Sequence, residues 1–110
     1  MATKANLVID QGSTYSTTLN LTDENGDPLN LSGFTANSQI RKWYTSSNST
    51  SFSTSINSIS GQITLSLTAL QTANLVATRY VYDVEITETS TNAVSRIVEG
   101  IVTVTPEVTK

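Results

Sequence analysis

Residues 65–87 (Leu-Ser-Leu-Thr-Ala-Leu-Gln-Thr-Ala-Asn-Leu-Val-Ala-Thr-Arg-Tyr-Val-Tyr-Asp-Val-Glu-Ile-Thr) restrict the fold more than any other part of the chain. Leu65 and Leu67 alternate with Thr64, Ser66 and Thr68, a period of two that puts both leucines on one face of a strand. The period then breaks. Thr68 and Gln71 stand at the spacing of a capping box, in which each side chain accepts the backbone amide of the other and a helical turn begins. From Tyr80 the period of two returns. Tyr80, Tyr82, Val84 and Ile86 share one face, and Val81, Asp83, Glu85 and Thr87 share the other. A helical turn between two strands, with tyrosine at the start of the second, predicts the corner of a Greek-key β-sandwich.

The rest of the chain agrees with strands. Leu7 and Ile9 alternate in residues 6–10, and residues 11–13 form a turn or bulge. Tyr15, Thr17, Leu19 and Leu21 mark the inward face of a second strand. In residues 23–28, Asn25-Gly26 suits positive φ at both central positions and Pro28 stops the ladder. Leu29 and Leu31 suggest a short edge segment. Residues 34–44 read as a central strand with Phe34, Ala36, Ser38 and Ile40 inward. Ser38 is the odd member and must bond to backbone if buried. After a polar loop at 45–51, Phe52, Thr54 and Ile56 alternate, then Ile63, Leu65 and Leu67. Residues 88–92 form a polar hairpin loop. Residues 94–105 are the last strand, with Val98, Val102 and Val104 on one face and Ile97 and Ile101 on the other. Gly100 between them marks a bulge or a close backbone approach, and Pro106 ends the ladder. The expectation is an all-β, immunoglobulin-like antiparallel β-sandwich of about seven strands, with one short helical turn near 68–74, as a single domain over 1–110.

Composition narrows the chemistry. Roughly a third of the 110 residues are Ser or Thr, with six basic and nine acidic residues. That balance argues against a general nucleic-acid binder, which needs clustered Lys and Arg; Arg41-Lys42 is the only adjacent basic pair. The absence of cysteine removes disulfides and thiolate chemistry. The absence of histidine removes the commonest general base and metal ligand. No apolar run approaches the length of a membrane span, and residues 1–10 lack a signal-peptide pattern, so assembly in a cytoplasm is expected.

Three clusters invite functional readings, each beside a plainer one. Asp83 and Glu85 share a strand face as paired carboxylates do, but that face is also the solvated reverse of the Tyr82/Val84 core face. Asp23, Asn25 and Asp27 suggest a weak calcium site, yet the spacing departs from an EF-hand and a β-turn explains it. Trp43, Tyr44 and Phe52 flank the Ser-rich loop, as partner-contact residues or as a cap on the core. Trp43 is the first choice for contact because it falls off the inward register of residues 34–40. Serine nucleophile chemistry lacks both a His base and a Gly-x-Ser-x-Gly motif. The sequons at Asn20, Asn30 and Asn48 are no more than Ser/Thr abundance produces by chance. No catalytic, metal or cofactor residue is expected.

Several segments in a fixed order carry a resemblance. They are residues 8–12 (Val-Ile-Asp-Gln-Gly), 21–35 (Leu-Thr-Asp-Glu-Asn-Gly-Asp-Pro-Leu-Asn-Leu-Ser-Gly-Phe-Thr), 39–42 (Gln-Ile-Arg-Lys), 63–75, 79–86 in part, and 99–106 (Glu-Gly-Ile-Val-Thr-Val-Thr-Pro). Together they resemble small immunoglobulin-like virion structural proteins of tailed bacteriophages, many from myoviruses including those of cyanobacteria. One departure is Val76-Ala-Thr78, where relatives commonly have Pro-Ala-Gly, so a positive-φ turn is not expected at Thr78. The resemblance implies a non-enzymatic virion component that docks on other particle proteins and copies of itself. Its place would be the neck, tail or baseplate, or the capsid as a decoration protein. A carbohydrate-binding host-adhesion module on the same sandwich is the competing expectation.

Overall fold

In the computed structural model, which describes residues 3–43 and 49–108, the alternating segments become strands of two sheets. The strands are β1 (Thr3–Lys4), β2 (Leu7–Asp10), β3 (Tyr15–Asn20), β4 (Phe34–Arg41), β5 (Thr50–Ser51), β6 (Ser53–Asn57), β7 (Gln62–Leu67), β8 (Arg79–Glu88) and β9 (Val94–Thr105). One short helix, α1 (Ala69–Ala73), joins β7 to β8. The larger sheet runs β1-β9-β8-β4-β5, with β2 also on β9; the smaller runs β3-β7-β6. This is an all-β sandwich, and β3-β7-β6 facing β4-β8-β9 is the immunoglobulin-type division of strands. The expected seven strands correspond to these nine because two of them are split. The first breaks into β1 and β2 at Ala5-Asn6, and β5 crosses between sheets to become β6.

The inner faces meet in one core. Ile9, Ile40, Tyr82, Val84, Val98, Val102 and Val104 come from the larger sheet and Ile63, Leu65 and Leu67 from the smaller, all buried. The period of two in the sequence therefore places the core side chains as expected. Ser38 is buried among them, and its hydroxyl donates to Asp83 O at 2.6 Å. That bond removes the cost of an unpaired polar group.

The corner also forms as its residues dictate. Thr68 Oγ1 accepts from Gln71 N at 3.2 Å, and Thr68 N donates to Gln71 Oε1 at 2.9 Å, completing the capping box. Thr72, fully buried, donates from its hydroxyl to Ser13 O at 2.8 Å and ties α1 to the start of β3. Tyr80 then donates to Val76 O at 2.7 Å, the backward bond of a tyrosine corner.

Several details depart from expectation. The N-terminal pairing is parallel, not antiparallel: Leu7 to Asp10 lie beside Val102 to Thr105. In this direction β2 fills the open edge of β9 and the next turn delivers the chain into the opposite sheet as β3. Only Gly26, not Asn25, has positive φ in the 23–28 turn. Asp23 explains this, because its Oδ1 accepts from the amides of Asn25 and Asp27 and closes the loop. The 29–31 segment is no edge strand. Leu31 is buried and its amide donates inward to Ser58 O. The central strand ends at Arg41. The bulge in β9 falls at Ile97, between the pairs Val84–Val98 and Glu85–Arg96. Gly100 is instead a close approach, since a Cβ there would lie 2.1 Å from Ala5 O.

Candidate functional site

Three surfaces follow from this scaffold. The first surrounds Trp43, just past the end of β4. Its side chain is 58% exposed, which agrees with its place off the inward register. It borders a hollow of about 330 Å³, shared with Lys42, Ser49, Thr50 and Tyr80. Lys42 is held there by three contacts. Its Nζ lies 3.0 Å from Thr78 Oγ1, 3.5 Å from Arg79 O and 5.7 Å from the centre of the Tyr80 ring. A tryptophan face beside a fixed ammonium suits a ligand with a flat apolar side and an acceptor or anionic edge.

The other two aromatic candidates do not join it. Phe52 is a core residue, not a contact residue. It is 5% exposed, and its ring stands 6.2 Å from Tyr82 and 6.3 Å from Tyr15. The strand switch explains this. The Phe52 amide donates to Ser38 O in the larger sheet as the chain crosses to the smaller, which turns the ring between the layers. Tyr44 lies outside the described residues. Sequence alone does not bring Lys42, Thr78 and Tyr80 beside Trp43; in sequence Lys42 is notable only as half of the Arg41-Lys42 basic pair.

The core tyrosines resist ionisation. Burial, and then the charge of Tyr15, push the Tyr82 hydroxyl up to about 12. Burial also raises Tyr15, partly offset by a hydrogen bond with Thr17, and raises Tyr80, partly offset by its bond to Val76.

The second surface is the outer face of the larger sheet. Asp83 and Glu85 lie there with Gln39, Arg41 and Arg96 around a hollow of about 320 Å³. Asp83 Oδ2 is 3.2 Å from Arg96 Nε, so Asp83 is one half of a partly exposed ion pair rather than of a bare carboxylate pair. In the 23–28 turn, Asp23 Oδ1 is taken by two backbone amides. Among the described residues no three acidic side chains converge as metal ligands would.

The third surface is the outer face of the smaller sheet, and it carries no charge. Three rows of short polar side chains cross it: Ser16, Ser66 and Ser53; Thr18, Thr64 and Ser55; Asn20, Gln62 and Asn57. Two rows are bonded across strands. Thr18 and Thr64 hydroxyls are 3.1 Å apart, and Gln62 Nε2 donates to Asn20 Oδ1 at 2.8 Å. The alternation of these residues with inward leucines was legible, but their alignment needs the register.

No protein-family model matches this chain, and comparison with curated proteins gives no match.

Proposed function

We propose that this chain is a non-enzymatic structural subunit of a tailed-bacteriophage particle, docking on neighbouring virion proteins at the neck, tail or baseplate. Capsid decoration is the alternative position within the same role. The reading rests on the ordered sequence resemblance. It is supported by the fold, because the residues of that resemblance in the 63–75 segment build the capping box and enter the corner before Tyr80. In this role the protein acts by surface area. Hydroxyl and amide groups form wet, polar contacts with its partners, and many copies on a symmetric particle turn weak contacts into stable attachment. Assembly would take place in the host cytoplasm and the mature location would be the virion.

Mass spectrometry of purified particles tests the role. The chain should be present at a fixed ratio to the major particle proteins, and its absence from intact particles would remove the reading. A cryo-EM map would then assign its position and copy number.

The exposure of Trp43 beside Lys42 supports a second reading, a glycan-binding adhesion module. Its test is retention on immobilised host glycans. Equal retention of the wild type and Trp43→Ala would dismiss it.

A further inference from the structure

The sheet edges of this molecule are not equally protected. Natural sheets guard their edges with short or interrupted strands, charges, prolines or bulges. The larger sheet uses several of these devices. On one side β1 and β2 are two and four residues long, broken at Ala5-Asn6, and carry Lys4 and Asp10. On the other side β5 has two residues. In the smaller sheet, β6 enters bent from the other layer, and the Thr54 hydroxyl donates back to Ala36 O.

The β3 strand has none of these devices. Its six residues, Tyr-Ser-Thr-Thr-Leu-Asn, contain no charge, proline or glycine. They pair with β7 in unbroken register from Tyr15–Leu67 to Asn20–Gln62. The next pair in that register is bonded, Leu21 N to Gly61 O at 2.8 Å. Bonded pairs alternate in an antiparallel ladder, so Tyr15, Thr17 and Leu19 face β7 with their backbone groups. The amides and carbonyls of Ser16, Thr18 and Asn20 therefore point away from it. Among the described residues no strand lies on that side, because the N-terminal strand has gone to β9 instead.

We infer that this edge pairs with the β3 edge of a second copy of the chain, antiparallel about a two-fold axis at Thr18. A two-fold interface must be complementary to itself, and this edge is. Thr18 meets Thr18 of the second copy, and Ser16 meets Asn20. The outward backbone groups of all three residues then pair. Asn20 Oδ1 is already taken by Gln62, which leaves the Asn20 amide nitrogen to donate to the Ser16 hydroxyl opposite. No like charges face one another, and the three polar rows continue across the junction as one uncharged surface. The pairing stands apart from the particle role. A protein found in particles but monomeric at its edges keeps the role and loses the pairing, and a dimer absent from particles does the reverse.

Sedimentation velocity over a concentration series, with amide hydrogen exchange on the same samples, tests it. The expected result is a reversible monomer–dimer equilibrium, little affected by salt, in which the amides of Ser16, Thr18 and Asn20 exchange more slowly as concentration rises. Thr18→Lys sets two cations against each other at the axis and weakens association by about tenfold or more. Thr18→Pro removes the central donor itself and also weakens association. A purely monomeric wild type up to about 1 mM, or a dimer whose newly protected amides lie elsewhere, overturns the inference. The wild-type exchange pattern decides the matter even where a variant folds poorly.

Discussion

Tyr82 and Gly100 stand directly opposite each other on β8 and β9, and the Tyr82 hydroxyl donates at 2.5 Å to the carbonyl of Ala5 beside the glycine. Ala5 sits where the N-terminal strand breaks, and its own amide donates to Glu99 O at 2.9 Å. Asn6 completes the clasp, with its Oδ1 accepting from Ile101 N at 3.0 Å. A missing side chain on one strand thus lets another strand reach a buried tyrosine.

Gly100→Ala tests the clasp. Its Cβ meets backbone rather than a yielding side chain, with Ala5 O at 2.1 Å. The N-terminal strand must move, at a cost of about 1–3 kcal/mol. Urea denaturation measures the loss, and hydrogen exchange should show faster exchange at Ala5 and Leu7 before the rest of the sheet.

Tyr82→Phe removes the donor and leaves Ala5 O short of a partner, for a loss of about 1–2 kcal/mol at neutral pH. The same residue sets an alkaline limit. Its folded-state value, about 12, lies above the ordinary 10.0. The folded protein therefore holds the proton that the unfolded chain releases, and stability is full below pH 10 and falls as pH rises toward 12. In the variant this part of the alkaline loss disappears, leaving smaller contributions of the same sign from Tyr15 and Tyr80. Denaturation midpoints across that range, with tyrosinate absorbance, give the comparison.

Phe52→Ala distinguishes a core residue from a contact residue. Loss of the ring between Tyr15 and Tyr82 should cost about 3–5 kcal/mol, a large share of the stability of a domain this size. Calorimetry should show a much lower Tm. An unchanged Tm would contradict the core assignment.

Trp43→Ala should do the opposite and leave stability within about 0.5 kcal/mol of wild type. Trp43 is the one tryptophan of the chain, so fluorescence reports on it alone. Native emission should resemble that of a solvated indole and respond freely to a neutral quencher. A blue-shifted, protected emission would show the ring covered.

Local patterns carried most of the fold. The leucines of β7, the alternating face of β8, the capping box and the tyrosine corner all depend on side chains a few positions apart, where periodicity and capping rules act. The Ser38 bond was legible as a requirement, a polar group inside an apolar row. The missed features depend on long-range contacts. Nothing near Leu31 in sequence shows that Ser58 will receive its amide. The parallel course of β2 depends on which edge β9 leaves open. In the 23–28 turn the Asn-Gly pair suggests its own control of the backbone, but the Asp23 carboxylate controls it by binding two amides. For the candidate site, register placed Trp43 outward. Alternation likewise grouped Phe52 with Thr54 and Ile56 on the face that is buried, but it carries no sign that the strand leaves one sheet for the other at that residue.

The clasp at Ala5 also has a consequence in time. Leu7 pairs with Val102, and the Asn6–Ile101 bond spans 95 positions. On the ribosome the first strand emerges long before β9, the strand it pairs with, exists. It stays unpaired until β9 has been made and docked on β8. Contacts so distant in sequence close slowly, so the N-terminal strand should be the last piece of the larger sheet to settle during synthesis.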